Sequence, residues 1–381
     1  MNNQKKSFCF VQLYHISERG GGAEVQAGYL SIELASRGFD VHYICQTVNS
    51  NKENTNSVMD GVHIHWIPLK SSLSISNIKL IKSKLLELKP QFIIERMTSS
   101  YGLPIVLAKR KMQSKYIWIC TDNKSPELYS KVKEFYKKLP FIKFFLTIHK
   151  PLQNDLIRRF ANKRADFVFS QNDIQKTLIL QNFNRDSSRM ISGHPLPKVE
   201  YTSEEHFSFQ TVLWCANFGP HKRPEIFIEL ARQMQHTSLK FVMVGGHSNK
   251  AYVNELLKNK PNNLETTGQL PFIEALDYFD KASIFVNTSI SEGFSNTYIQ
   301  AWLRSVPVVV FGADSDNIIE RNQLGFDVTS ISEAADNISN TIANYDQYKT
   351  LSTNAYTYGC QNHSIKVMAN NFMAVIDNSD E

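Results

Sequence analysis

Nothing in this sequence is apolar for long enough to span a membrane, because its hydrophobic runs are short and interrupted. Met1–Ser7 is polar and the apolar run behind it has only strand length, so no secretory signal peptide is expected. Cysteine is scarce. Five residues (Cys9, Cys45, Cys120, Cys215, Cys360) make an odd number, and no two are close enough to form a metal-ligand pair. Four of them lie in or at the end of apolar runs, where cysteine behaves as a small buried hydrophobe; a reducing cytoplasm is the expected setting. The G-x-G-x-x-G fingerprint is also missing, which counts against an NAD-dependent oxidoreductase. What remains is a chain of 381 residues, 42% hydrophobic and 20% charged. That is an ordinary globular composition with too much chain for one core, so two domains are expected.

The net charge of +6 is unevenly placed. Between Lys131 and Arg164 ten Lys and Arg stand against two acids, Glu134 and Asp155, a local net of +8 that leaves about −2 for the rest. Such concentration points to a local anionic partner and away from general nucleic-acid binding. Within this stretch aromatic and aliphatic residues interleave with lysines (LPFIKFFLTIHK), broken by Pro140 and Pro151. Two readings fit: a helix lying on an anionic membrane surface, or a helix pair with an ordinary core side and solvated lysines.

Short apolar runs alternate with helical patterns along the chain. Phe8–Leu13 reads as a buried strand, followed by Gly20-Gly21-Gly22, a helix from Val25 to Ser36 and a strand at Val41–Cys45. A glycine loop at the exit of the first strand lies where a Rossmann-like sheet opens its ligand crevice. Asn49–Ser57 reads as a polar loop, and His63–Ile67, Phe92–Ile94, Tyr116–Cys120 and Asp166–Ser170 as strands. Ile191–Val199, with two prolines, reads as an interdomain connection. The second half repeats the alternation, with strands at Val212–Cys215, Lys240–Val244 and Ser283–Val286 and closing helices at Ser332–Tyr345 and from Ser364 onward. The pattern predicts mostly parallel sheets covered on both faces.

One stretch organises the second half: Ser291–Val310, SEGFSNTYIQAWLRSVPVVV. It passes from a strand through a turn at Glu292-Gly293-Phe294 into a helix beginning near Ser295–Thr297, and then through Pro307 into another strand. Such a helix start offers backbone N–H groups to a diphosphate. Lys222 stands in the loop after the first strand of this half, placed to reach the same diphosphate. Arg223 either adds to the positive field or is a surface residue. A lysine and oriented amides stabilise the charge that a leaving nucleoside diphosphate gains, without a metal ion. Glu292 can accept hydrogen bonds from sugar hydroxyls or steady a cationic sugar carbon. Taken singly, Lys222 reads as a surface lysine, Glu292 as a capping acid and Gln300 as nothing in particular; their joint arrangement carries the argument.

These residues resemble the E-x7-E region of the retaining GT-B glycosyltransferases, a family with many bacterial exopolysaccharide and lipopolysaccharide transferases. Glu292-Gly293-Phe294 and Pro307-Val308-Val309 match that region, and Gly21-Gly22-Ala23-Glu24 with Arg37-Gly38 resembles the family's opening. Ala165-Asp166-Phe167-Val168 is similar to its AD-x-V strand, and Lys222 falls where the family has its phosphate lysine. The resemblance implies an α/β, GT-B fold: two Rossmann-like domains facing each other across a cleft, with an acceptor-side domain at 1–195, a donor domain at 205–362, and the helix 364–381 packed back onto the first domain. It implies that Glu292 contacts the donor sugar and Lys222 the diphosphate. The backbone of Gly293, Phe294, Ser295, Asn296 and Thr297 would contact sugar and phosphate. Gly268-Gln269-Leu270 would lie by the base, and Gly21-Gly22 would face the donor phosphate.

Three positions depart from the family pattern. Gln300 replaces the second acid and can still hydrogen-bond a ribose hydroxyl, without charge assistance. Asn217 stands where many relatives have an arginine, so one positive charge is lost. Thr121-Asp122 replaces a histidine, which leaves Asp122 a lesser acceptor-side role. The expected activity is transfer from a UDP- or GDP-sugar, with retention and with no metal or cofactor, to a glycan or polyprenyl-linked acceptor. The expected place is the cytoplasm, with peripheral contact to the inner membrane face through 131–164 and no nucleic-acid partner. A non-catalytic sugar-nucleotide-binding GT-B protein, an epimerase and a phosphorylase are the alternatives, the last without a visible cofactor lysine.

Overall fold

The computed structural model describes residues 5–68, 74–97, 101–130, 132–133 and 148–378. The chain divides into two compact units, one formed by the chain up to Ser192 together with the chain from Met368, the other by Gly193–Val367.

The first unit is built on an eight-stranded sheet: β1 (Ser7–Val11), β2 (Asp40–Gln46), β3 (Asn56–Met59), β4 (Val62–Ile67), β5 (Phe92–Glu95), β6 (Lys115–Ile119), β7 (Phe167–Ser170) and β8 (Ser188–Arg189). Their order is β3-β4-β2-β1-β5-β6-β7-β8, parallel except for β3, which runs antiparallel to β4. The central strands (FCFV, FIIE, YIWI) are apolar on both faces because helices cover both, as parallel sheets require. One face packs Cys9, Val11, Ile93 and Trp118 against the helices Ile75–Leu88, Gly102–Lys109 and their neighbours. On the other face, Phe8 stacks on Phe92 at 5.2 Å, and Phe372 of the last helix (Ile365–Asp377) stacks on Phe169 at 5.6 Å. Lys6 pairs with Asp377 at 2.5 Å on the same face. The strand order reverses between β1 and β5: the chain runs outward from β1 through β2 and β4, then outward the other way from β5 through β6 and β7. A doubly wound sheet opens its ligand crevice beyond the carboxyl ends at such a switch point.

The second unit repeats the scheme with six parallel strands: β9 (Thr211–Cys215), β10 (Lys240–Val244), β11 (Leu264–Gly268), β12 (Ile284–Asn287), β13 (Val308–Val310) and β14 (Gly325–Asp327). Their order is β11-β10-β9-β12-β13-β14, so its switch point lies between β9 and β12. Two apolar layers sandwich the sheet, one around Trp214, Phe227 and Phe241, the other around Phe285, Trp302 and Val308.

Two Rossmann-like α/β units are what the alternation predicts, and the differences lie at the polar elements. Part of Asn49–Ser57, read as loop, belongs to edge strand β3, and LETTG forms edge strand β11. An edge strand has one unpaired side and carries polar residues there, so neither shows an apolar run. The helix Tyr345–His363 also has little apolar periodicity; it is held by Tyr348, Leu351, Ala355 and Gly359, which are buried. Residues 131 and 134–147 of the basic stretch lie outside the described residues. In the part that is described, Arg158 is not solvated: it is 6% exposed and donates to the Ser125 carbonyl at 3.0 Å and to Asp155 at 3.3 Å. No helix among the described residues is long and apolar enough to cross a membrane.

Burial sets an acid limit to the first unit. Desolvation lowers His15 and His65 from the usual histidine value to about 4 each. A base whose folded pKa is depressed stabilises the fold fully above its unfolded value near 6.5. Below that, the unfolded chain takes up protons that the folded chain refuses, until about pH 4. His15 is therefore expected to remove about 3 kcal/mol between pH 6.5 and pH 4, and the better-solvated His65 a smaller amount. Glu24, raised by burial, acts in the opposite sense and softens the fall. Urea midpoints measured from pH 7.5 to pH 4 check this; a midpoint that stays level over that range contradicts it.

Candidate active site

At the carboxyl edge of the six-stranded sheet two loops are laced together. The first leaves β9 and runs from Ala216 to Arg223, where the helix Pro224–Gln233 begins with proline in its first turn. The second leaves β12 and runs from Thr288 to Ser295, where the helix Asn296–Trp302 begins. Arg223 adopts a left-handed backbone conformation, φ +46°, and its guanidinium donates to the carbonyls of Thr288 (2.6 Å), Ser289 (3.1 Å) and Phe311 (2.9 Å). The Thr288 hydroxyl donates to the Lys222 carbonyl at 2.5 Å and accepts from Trp214 Nε1 at 2.9 Å. His221 bonds the Ser291 carbonyl through its ring at 2.7 Å, and Ile290 N–H donates to the His221 carbonyl at 2.9 Å.

This lacing brings Lys222 to Glu292. Lys222 Nζ donates to Glu292 Oε1 at 2.6 Å, with the lysine side chain 31% and the glutamate 14% exposed. A cation and a carboxylate meeting over the switch point form a pair that can serve opposite needs, the ammonium for a phosphate and the carboxylate for sugar hydroxyls. Arg223 is committed differently from either sequence reading. Its charge is spent on three carbonyls, which makes it a positioning residue for the two loops.

Other predicted residues gather at the same edge. Gly268 ends β11 with φ +73° and its carbonyl accepts from Gly245 N–H at 3.0 Å, which sets Gln269 beside Gly246. Leu270 packs against the apolar layer around Trp302. Asn217 is exposed at the exit of β9. Phe294 stacks on His363 at 4.8 Å and meets Trp302 edge-on at 6.2 Å. Ser295 occupies the N-cap of its helix without bonding the helix amides; its hydroxyl pairs with that of Thr297 at 2.8 Å. Gly293 and Asn296 flank it in the same loop and first turn. Gln300 is 4% exposed.

The structure does not add Gly21, Gly22 or Asp122 to that cluster, since all three belong to the first unit. Gly21 is the N-cap of the helix Gly22–Ser36, and a Cβ there would collide with the Glu24 carboxylate, so glycine is what lets this acid fold back. Asp122 Oδ1 accepts from the backbone of Lys124 (2.9 Å) and Ser125 (2.8 Å), and Oδ2 from the Ser125 hydroxyl (2.5 Å). A carboxylate so engaged shapes its own turn. Sequence reasoning missed His221, Thr288 and His363, whose partners lie far along the chain; only the His-Lys-Arg run hinted at the first.

Comparison with known proteins decides the family. The domain family described as Glycosyl transferase 4-like matches residues 28–172, and the one described as Glycosyl transferases group 1 matches residues 209–344. Together they take in well over half of the chain. The chain is a GT-B glycosyltransferase. Among solved structures, sucrose-phosphate synthase of Thermosynechococcus elongatus superposes on this glycosyltransferase with a TM-score of 0.76 at 14% identity, covering 98% of this chain and 99% of the other. HepE of Anabaena in complex with UDP and glucose gives 0.72 at 14% identity, covering 98% and 100%. WaaG, a glycosyltransferase involved in lipopolysaccharide biosynthesis, gives 0.66 at 11%, covering 96% and 97%. At such identities these structures establish the GT-B fold of the glycosyltransferase. No curated protein matches it in sequence.

Proposed function

We propose that this glycosyltransferase transfers a hexose from a UDP- or GDP-sugar, with retention of configuration, to a glycan or polyprenyl-linked acceptor in surface polysaccharide assembly. The Lys222–Glu292 contact at 2.6 Å carries the reading, because it sits at the switch point where a doubly wound sheet takes its ligand. As the bond between sugar C1 and the diphosphate oxygen breaks, negative charge grows on the leaving group. Lys222 and the start of the helix Asn296–Trp302 stabilise that charge, so the step asks for no metal or cofactor. Glu292 accepts hydrogen bonds from the sugar hydroxyls once the diphosphate draws Lys222 toward itself. Gln300 serves the ribose with a neutral amide, and the Gly268–Leu270 loop lies by the base. HepE, solved with UDP and glucose, supports the donor class, and WaaG supports the pathway. The basic segment 131–164 gives the acceptor side its peripheral contact with an anionic membrane at the cytoplasmic face.

A screen of nucleotides and nucleotide sugars for protection against thermal unfolding tests this reading. A ligand bound only to the native state at 100 times its Kd adds about 2.7 kcal/mol. UDP or GDP and one of their sugars are expected to raise Tm in the native chain. Absence of protection by every nucleoside diphosphate contradicts the reading, and protection without sugar consumption favours the non-catalytic alternative.

A further inference from the structure

The switch point of the first unit holds a cation as well, and its surroundings differ sharply from those of Lys222. Arg96 follows β5 and is 0% exposed. Among the described residues only Nη2 of its guanidinium has a partner, the neutral hydroxyl of Ser192 at 3.0 Å, while Nε and Nη1 have none. Gln171 Nε2 donates to the same hydroxyl at 2.9 Å, so that oxygen already accepts twice. β1 and β5 pair in the register Phe8↔Phe92 and Phe10↔Ile94. Gln12 and Arg96 are the residues that directly follow β1 and β5, at matching positions if that register is continued. Gln12 is 0% exposed too, and among the described residues both its amide nitrogen and its amide oxygen are without partners.

Three buried nitrogens with unused N–H groups and one positive charge therefore follow the two strands at which the strand order reverses, and no ion pair to Arg96 is found among the described residues. A buried charge lacking a counter-ion is among the costlier features a fold can carry. Burial alone lowers the guanidinium to about 9, which leaves it charged at neutral pH. An ordered water could satisfy one or two N–H groups; it would not neutralise the charge. An oxyanion does both.

We propose that Arg96, with Gln12 beside it, is the binding site in the first unit for a compact oxyanion carried by the acceptor, either a phosphoryl group or a sugar carboxylate. Arg96 supplies the charge and two free donors, Gln12 a third donor together with an acceptor for a hydroxyl, and Ser192 holds the guanidinium in place. The site rests on the transferase reading only for the identity of the carrier. Its chemistry stands on the first unit by itself.

The test is thermal unfolding of the full chain at matched ionic strength with inorganic phosphate or with glucuronate, comparing the native protein with Arg96→Met and Lys222→Ala. The native protein is expected to gain about 5 °C at 100 times the Kd of the anion that fits. A gain with phosphate alone assigns a phosphoryl group, and a gain with glucuronate alone assigns a sugar carboxylate. Arg96→Met should lose that gain, and the difference between the two proteins removes the general stabilisation that phosphate gives any fold. Without anion, Arg96→Met should melt at or above the native temperature, because an uncompensated buried charge has been replaced by an apolar chain of similar length. Lys222→Ala should keep the anion shift while protection by UDP or GDP weakens, so a failed donor site and a failed anion site give different results. If Arg96→Met does not fold, Arg96→Lys is the second probe, expected to bind the anion at least about tenfold more weakly because it lacks the planar donors. An anion shift of native size in Arg96→Met, or in Arg96→Lys where that is the probe used, overturns the proposal. So does a native protein that gains nothing from either anion.

Discussion

Replacing Lys222 by alanine is expected to lower sugar transfer by about 10²–10³-fold, the range found when one preorganised donor is taken from a developing oxyanion. The effect should appear mainly in kcat. The ammonium gains most when charge reaches the departing diphosphate, and an interaction stronger in the transition state than in the ground state is read in kcat. Folding should be little affected. The Lys222 side chain is 31% exposed, and ion pairs of such exposure add at most about 1 kcal/mol. Glu292→Ala should also impair transfer. The double variant should lose less than the product of the two single losses, since each substitution already breaks the same pair. Steady-state rates and melting temperatures of the three variants check this. A Lys222→Ala enzyme with native kcat would remove the lysine from the chemistry.

Gly245→Ala is expected to produce a large loss of stability. Gly245 follows β10 at φ +138°, a conformation that L side chains rarely adopt. A Cβ there would fall inside the van der Waals envelope of the Ala216 carbonyl oxygen, which is backbone and has little room to retreat. The clash is doubly fixed: Ala216 N–H bonds the Val244 carbonyl at 3.1 Å, and Phe218 N–H bonds the Gly246 carbonyl at 2.9 Å. Relief requires these ladder bonds to part, so the cost should exceed about 4 kcal/mol, a large share of the 5–15 kcal/mol that holds a typical domain. The same bonds steer the loop that carries Lys222. A partly folded Gly245→Ala chain should therefore lose nucleotide protection before it loses helix content. Circular dichroism melts with and without UDP or GDP measure both, and a native-like Tm would contradict the close approach.

The fold was legible where the sequence is apolar. FCFV, FIIE, FVFS and VLWC announce parallel strands because both their faces are buried, and the periodic helices between them fix the alternation. Polar elements escaped: β3 and β11 at sheet edges, and the helix Tyr345–His363, whose register is set by a few buried contacts. The site shows the same division. Lys222 and Glu292 stand out because each sits in a short local pattern after a strand. The lacing that joins them does not, because Arg223 reaches carbonyls 65 to 88 residues away and Thr288 reaches Lys222 across 66. Such hydrogen bonds leave no local trace in composition or periodicity. Arg96 reads in the sequence as nothing more than a strand end. Its unused N–H groups are visible only in the folded structure.

The central claim is that this chain moves a sugar from a nucleoside diphosphate with its anomeric configuration kept. Proton NMR of the anomeric region, recorded while the protein consumes an α-linked UDP- or GDP-sugar, tests it most directly. The account predicts that the donor signal is replaced first by a product signal with the small coupling of an α-anomer, and that Lys222→Ala slows this about 10²–10³-fold. A β-anomer as the first product, or no consumption of any donor that protects the fold, would contradict it.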